Sequence, residues 1–242
     1  MRARSWPDTT RHTSGNSACS RARRHSRNVS PEDYIKAIFK LQRTGQRVTT
    51  SALAAQLRLA DASITGLIKK LSGQRLIHYE RYQGVGLTGR GKRMALRIVR
   101  RHRLWEMYLV TVLGFSWDQV HDEAERLEHV TSDELEARLD RALGFPTSDP
   151  HGDPIPTVDG ELDRQEYTAL TECNSGDVVR VLRVSDADAE ILQHATKLGV
   201  GLNKKITVRE KRKFDGSMVI KVGPSERFVS LQMAKAIFVK PA

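Results

Sequence analysis

The sequence predicts a mainly α-helical chain with a small β unit at its C-terminal end, and three observations carry that reading. Helical periodicity runs from residue 30 to residue 143, broken by one stretch of strand character near 76–88. Beyond residue 166 the pattern changes to short β-branched runs. The charge changes sign along the same path. Residues 1–29 hold seven Arg against one Asp, residues 30–102 hold fifteen Lys/Arg against four acids, and residues 103–165 hold five basic against fifteen acidic side chains. The net charge of +11 is thus split between a basic unit and an acidic one. That split suits a protein that grips an anion at one end and a cation in its middle.

Residues 1–29 are Arg-, Ser-, Thr- and His-rich without periodicity and read as a disordered basic arm. It is either a source of nonspecific attraction to phosphate, an uninvolved tail, or the product of a start codon set too far upstream. Order begins at Ser30-Pro31-Glu32-Asp33: a hydroxyl cap, a proline at the first helical position and an acid in the first turn. Tyr34, Ile35, Ile38, Phe39 and Leu41 give this helix an apolar face. Two short helices follow, residues 48–57 with a hydroxyl N-cap and residues 63–71, joined by a tight turn; Ala54 and Ala55 permit a close crossing. This is a helix-turn-helix pattern. Residues 76–82 and 85–88 around Gln83-Gly84 read as a β-hairpin, so residues 30–101 form a winged helix-turn-helix. Its second helix would enter the major groove of double-stranded DNA with Ser63, Thr65 and Lys69, Thr50 would lie on the same side, and Arg81 and Tyr82 on the wing would meet phosphates. A winged helix can also be a protein-interaction module, but the excess of basic residues favours DNA.

Thr88-Gly89-Arg90-Gly91-Lys92 opens a long helix that continues from Met94 to Leu113, and Trp117–Leu143 reads as an acidic helical region. Together, residues 102–149 are assigned as a helical domain. Apolar helices appended to a winged helix usually dimerise it. Residues 150–165, opening with Pro150-His151-Gly152-Asp153-Pro154-Ile155-Pro156, are rich in breakers and are assigned as a linker. Residues 166–242 hold strands at 178–184, 205–208, 218–222 and 228–231, a short helix at 189–198 and a second at 231–238, which suggests a small barrel.

The chemistry gathers at 121–129. On a helix, His121, Glu125, Glu128 and His129 fall on one face, and His102 and Glu106 make a second i, i+4 pair. Imidazoles and carboxylates converging in this way suit a divalent ion; a solvated polar face is the other reading. Other frameworks are excluded. Cys19 and Cys173 form neither a disulfide scaffold nor a zinc ribbon, no run of about 18 apolar residues would span a membrane, and no export signal is present, so a cytoplasmic location is expected. An inverted zinc-protease motif would need His in place of Glu125, and residues 30–90 lack the Glu-x-x-His pairs of a ferritin-like enzyme. No enzyme is expected, and no small-molecule substrate.

From about Asp33 to its end, the chain resembles the diphtheria-toxin-repressor family of metal-dependent transcriptional regulators in its three-domain form. The resemblance rests on Arg100-Arg101-His102-Arg103-Leu104, on Val120 through Asp133 and on Pro150 through Pro156. It implies an SH3-like (FeoA-like) domain at 166–242, a homodimer, and a probable-palindrome geometry of paired half-sites in the operator DNA. It also implies two neighbouring metal sites: Asp33, Glu125, Glu128 and His129 in one, and His102, Glu106 and His121 in the other, which Asp186 or Asp188 could complete. Iron-type members place Met and Cys where this chain has Asp33 and Glu125, whereas manganese-type members carry Asp and Glu. Hard oxygen ligands suit manganese, so the resemblance implies Mn(2+) as effector and repression of manganese uptake genes, with an Fe(2+)-dependent repressor of iron acquisition as the alternative and other divalent metals acting in vitro. Two positions depart from the pattern. Lys36 stands where two-domain manganese regulators have a further Glu, and Gly66 stands where iron-type members have Gln, so neither a paired-manganese geometry nor a borrowed operator carries over.

Overall fold

The computed structural model describes residues 29–43, 45, 47–80, 84–163 and 166–242. The arm assigned to 1–29, apart from Val29, and the wing residues Arg81 and Tyr82 lie outside the described residues.

Helix α1 (Pro31–Arg43) starts as its sequence requires. Ser30 Oγ accepts from the Asp33 N–H at 3.1 Å, and Asp33 Oδ2 accepts from the Ser30 N–H at 2.7 Å. This reciprocal cap fixes the Asp33 carboxyl before any tertiary contact forms. Helix α2 (Thr50–Leu57) is capped by Thr49 and ends at Arg58, which is left-handed with φ 55°. Helix α3 (Asp61–Gly73) follows, then strands β1 (Ile77–Glu80) and β2 (Gly84–Leu87), paired antiparallel from Ile77↔Leu87 to Glu80↔Gly84. Ile35, Ile38, Leu53, Ile64, Leu71 and Val99 are buried in one core. The unit is a winged helix-turn-helix.

Helix α4 (Gly89–Thr111) begins at the Thr88 cap and runs for 23 residues. It crosses the boundary assigned at 101/102 without a break, because no Gly or Pro interrupts residues 92–111. The acidic region after it is not one helix. It divides into α5 (His121–Leu127), a 3-10 turn (Glu128–Val130) and α6 (Asp133–Ala142). Thr131 and Ser132 make the division: Thr131 Oγ1 donates to Leu127 O at 2.6 Å and accepts from Trp105 Nε1 at 2.7 Å, while Ser132 Oγ caps α6.

Apolar packing in this middle region is thin. Its buried groups are Leu104, Leu139 and Ile155 in one cluster and Leu109, Val120 and Ala124 in another. Arginines of α4 supply much of the cohesion. Arg100 donates to Glu136 at 3.0 Å, to Asp140 at 2.6 Å and to Pro156 O at 2.8 Å. Arg101 pairs with Glu136 at 2.8 Å and with Asp133 at 2.6 Å. Val112, Leu113, Phe115, Val130 and Leu135 stay exposed, which leaves an apolar surface for a partner.

The segment assigned as a linker is a loop whose first half, up to Pro156, is buried. Asp149 Oδ1 accepts from the N–H groups of His151 and Asp153, both at 2.9 Å, and residues 151–156 are all buried. Gly152 has φ 93°, and a Cβ there would collide with the Leu182 carbonyl, so only glycine lets the loop press onto the C-terminal domain. That domain is a six-stranded antiparallel sheet in the order β3-β8-β4-β5-β6-β7. Its elements are β3 (Thr168–Ala169), β4 (Val178–Val184), α7 (Ala189–Leu198), β5 (Lys205–Lys211), β6 (Met218–Val222), β7 (Ser225–Val229), α8 (Leu231–Ala236) and β8 (Ile237–Pro241). Register shifts between Val181 and Arg183 and between Val208 and Glu210 curve the sheet. The helix expected over 231–238 stops at Ala236, where Ile-Phe-Val turns into β8 against β4.

Side-chain and backbone hydrogen bonds dock the sheet domain on the middle region, among them those of Arg183, Trp117 and Val184. Arg183 Nε donates to Asp153 at 2.7 Å, Trp117 Nε1 donates to Thr196 Oγ1 at 2.8 Å, and the Val184 N–H donates to His151 O at 2.9 Å. Because Arg100 is buried with its acids, Arg100→Ala is expected to cost about 3 kcal/mol by leaving Asp140 uncompensated and Glu136 to Arg101 alone. Urea unfolding would read this, and a loss below about 1 kcal/mol would place that network among surface ion pairs.

Candidate metal centre

Three side-chain clusters converge at the junction of α1, α4, α5 and the 149–156 loop. The first holds Asp33, Glu125, Glu128 and His129, the second His102, Glu106 and His121, and the third Glu106, Asp149 and His151; in each, the ligand atoms lie within 4.8 Å of one another. The face expected along 121–129 is therefore divided. The helix ends at Leu127, so His121 turns to His102 and Glu106, while Glu125, Glu128 and His129 turn to Asp33 on the DNA-binding unit.

In the first cluster His129 Nε2 lies 2.7 Å from Asp33 Oδ1, and His129 Nδ1 lies 2.6 Å from Glu32 Oε2. Glu32 thus holds one ring nitrogen and leaves the other facing the carboxylates, the usual support for a metal-binding imidazole. In the second, His102 Nε2 is 3.0 Å from Glu106 Oε1 and 3.1 Å from His121 Nδ1. Its Nδ1 reaches back to Glu128 Oε2 at 2.5 Å, so His102 connects the two clusters. In the third, His151 Nε2 donates to Trp117 O at 2.7 Å, which leaves Nδ1 as the lone-pair nitrogen, 4.0 Å from Glu106 and 3.9 Å from Asp149. Lys36 lies between the first two clusters, with Nζ 2.9 Å from Glu125 and 2.6 Å from Glu128.

These donors fit divalent ions. Asp33 Oδ1, Glu106 Oε1 and His151 Nδ1 are buried without a well-aligned hydrogen bond, the first two facing only the ring nitrogens of His129 and His102 at 2.7 and 3.0 Å, and one or more lies in every cluster. A buried polar atom left this way is costly unless a cation serves it. The donors are carboxylate oxygen and imidazole nitrogen. The described thiol, Cys173, is buried in the C-terminal core.

Asp186 and Asp188 separate. Asp186 lines a cavity of about 30 Å³ with Lys36, His102, Arg103 and Glu106, a space on the scale of one water or ion. Asp188 is the N-cap of α7, its Oδ1 accepting from the Glu190 N–H at 2.9 Å, and belongs to none of the three clusters. A cap satisfies that carboxylate locally, and so a ligand role for it is withdrawn. Sequence reasoning missed Asp149, His151, Glu32 and the central position of Lys36. The available signal was a histidine two residues after an aspartate in a loop too rich in breakers to be a helix.

On the opposite side of the first unit, Ser63, Thr65 and Lys69 are exposed along α3 and Thr50 is half-buried at the start of α2. Gly66 lies in the same row with open space around it. A winged helix presenting hydroxyls and a lysine on its second helix, with a multi-acid, multi-histidine centre behind it, defines a metal-responsive DNA-binding protein.

Known proteins agree. Residues 29–85 match the family described as "Iron dependent repressor, N-terminal DNA binding domain", residues 88–157 match "Iron dependent repressor, metal binding and dimerisation domain", and residues 168–241 match "FeoA domain". The iron-dependent repressor IdeR of Mycobacterium leprae (strain TN) is 30% identical over 224 residues, covering 86% of this chain and 96% of that protein. A manganese-dependent transcriptional repressor solved in complex with manganese is 39% identical, with TM-score 0.82 over 88% of this chain and all of that one. ScaR solved with bound Cd2+ is 29% identical, with TM-score 0.74 over 88% of this chain and all of that one. The chain belongs to the diphtheria-toxin-repressor family of metal-dependent transcriptional repressors, in its three-domain form with an SH3-like FeoA domain.

Protonation at the centre follows from its crowding. Burial alone would raise Glu125, but the Lys36 ammonium, with His102 and Lys40, outweighs it and brings the carboxyl to about 2. Burial opposes the imidazolium of His102, His129 and His151, yet their carboxylate neighbours prevail and all three lie above the ordinary value of 6.5. Burial and the Glu106 charge raise Asp149 to about 7. These four groups hold more protons folded than unfolded, so the stability they contribute is lost as pH rises through neutrality. A bound cation needs the same groups deprotonated and gains affinity in that direction. The gap in Tm between protein with saturating divalent metal and protein with chelator should therefore widen from about pH 6 to about pH 8. Differential scanning calorimetry tests this; a gap that is constant or narrows would show that these groups do not hold the ion.

Proposed function

We propose that this chain is a manganese-responsive repressor that binds palindromic operator DNA as a homodimer in the cytoplasm and lowers expression of manganese uptake genes. The observation that carries the reading is the donor set: Asp33, Glu125 and Glu128 offer oxygen and His129 one nitrogen, with no sulfur donor among them. Oxygen-rich sites with imidazole suit manganese better than thiolate or thioether sites do. Glu106, Asp149 and His151, with Asp186 beside them, would form a second site of the same chemistry. His121 faces the same Glu106 from 3.5 Å.

An ion held by the first cluster supplies two positive charges at the contact between the DNA-binding unit and the helices behind it. The residues do the rest. Asp33 is anchored by its reciprocal cap to the N-terminus of α1, and α1 shares a core with α2 and α3. Glu125, Glu128 and His129 belong to α5 and its 3-10 extension, which pack on α4. Holding Asp33 to that group fixes the direction of α3. In a dimer, this sets the separation of two recognition helices, which must be about 34 Å to enter successive major grooves. Metal and DNA then favour the same conformation, and each tightens the other.

An iron-responsive repressor is the second reading, favoured by the similarity to the mycobacterial iron-dependent repressor. Fluorescence anisotropy on fragments upstream of manganese- and iron-uptake genes separates the two, with manganese or anaerobic ferrous iron titrated at fixed salt. DNA binding at manganese levels where iron does little is the expected result, and the reverse order would establish the iron reading. In the same assay, Asp33→Ala and Glu128→Ala should leave a folded dimer and weaken metal-dependent DNA binding by about 100-fold or more. Unchanged binding by either variant in excess metal would refute the bridging role.

A further inference from the structure

We propose that Lys36 is a built-in competitor for the divalent ion, a tethered cation that shares Glu125 and Glu128 with it and so sets the metal level at which the repressor responds. The inference rests on the first-cluster reading above and deepens it.

Lys36 follows Asp33 by three residues on α1, so both side chains leave the helix on the same face toward α5. Its Nζ donates to Glu125 Oε2 at 2.9 Å and to Glu128 at 2.6 and 2.9 Å, and contacts His102 Nδ1 at 3.1 Å. An ammonium has three protons, and three carboxylate oxygens, one from Glu125 and two from Glu128, lie within reach to accept them. The side chain is 4% exposed and that of Glu128 is fully buried, so water screens little of this interaction. Cation coordination draws on the same carboxylate lone pairs. An ion that takes Glu125 and Glu128 as ligands must weaken their bonds to Lys36, or bind a few ångströms from a fixed positive charge in a weakly polar interior. Either way, Lys36 raises the ion concentration required. It also explains how Glu128 tolerates complete burial beside Glu125: the lysine already supplies a counter-charge from the DNA-binding unit. A purely structural ion pair would behave oppositely, since removing it would loosen the cluster and weaken metal binding.

The test is calorimetric titration of Mn2+ into the full chain and its Lys36→Gln and Lys36→Arg variants, with folding checked by circular dichroism. Lys36→Gln should bind about tenfold more tightly or better, because a neutral amide removes the competing charge. Lys36→Arg keeps that charge and should stay close to the wild type. With chelator present, Lys36→Gln should also melt at lower temperature than the wild type and gain more on adding Mn2+. Equal or weaker affinity in Lys36→Gln overturns the proposal. If that variant does not fold, Lys36→Met, which keeps the unbranched side chain and removes the charge, replaces it in the same titration, with the same tightening expected and equal or weaker affinity overturning the proposal. A wild-type chain that binds no Mn2+ at all would instead refute the first-cluster reading itself.

Discussion

Buried carboxylates need positive charge, and the molecule is arranged around that constraint. Glu106 and Glu128 are almost completely buried, and Asp149 and Asp153 lie behind them. Each is answered by a cation, and the four cations come from three elements: Lys36 from α1, His102 and Arg103 from α4, Arg183 from β4. The three domains therefore meet through charge as much as through apolar surface. Disturbing one carboxylate alters the balance felt by all three domains. This makes the junction a suitable place for a divalent ion to act, since one added charge is sensed in several directions.

The same logic accounts for the uneven distribution of apolar cores. The winged helix-turn-helix and the sheet domain each bury a full core. Between them, the middle region keeps only small clusters and relies on the arginines of α4, at 100, 101 and 103, to hold acids of α6 and of the 149–156 loop. A region with little core of its own and exposed Val112, Leu113 and Phe115 is not self-sufficient. Its burial is completed in part by the two flanking domains, and the exposed apolar residues remain available to a further partner.

Much of this was legible in the chain because local signals and tertiary structure agree. The Ser30-Pro31-Glu32-Asp33 start, the Thr88 cap and the β-branched runs at 178–184 and 218–222 each dictate a backbone that burial then rewards. The errors have a common physical source. The helical region over Trp117–Leu143 reads as undivided, whereas the hydroxyls of Thr131 and Ser132 satisfy backbone groups and end one helix while starting the next. The terminal Ile-Phe-Val was read as the end of a helix because its strand character shows only once β4 lies beside it. The third cluster was illegible for a different reason. Periodicity identifies residues on one element, whereas Glu106 meets Asp149 and His151 across more than forty residues through a loop that only Gly152 allows to fold back. The resemblance pointed to acids and histidines on helices, where spacing is diagnostic, and the structure gathers these into clusters; Asp188, named from a region where no helix keeps the register, caps α7 instead.

Helix α4 carries the wing at one end and the dimer-side surface at the other, with no hinge between them. At 1.5 Å per residue it is a shaft about 34 Å long. Domain exchange in this architecture is consequently a problem of phase rather than of boundaries. A chimaera that grafts a foreign recognition unit onto this chain has to splice within a helix, and one residue too many turns the grafted unit by about 100° about the shaft. New operator specificities can be exchanged along α4 only in steps that preserve helical register, because a recognition helix facing away from the groove reads nothing however well its ion is held.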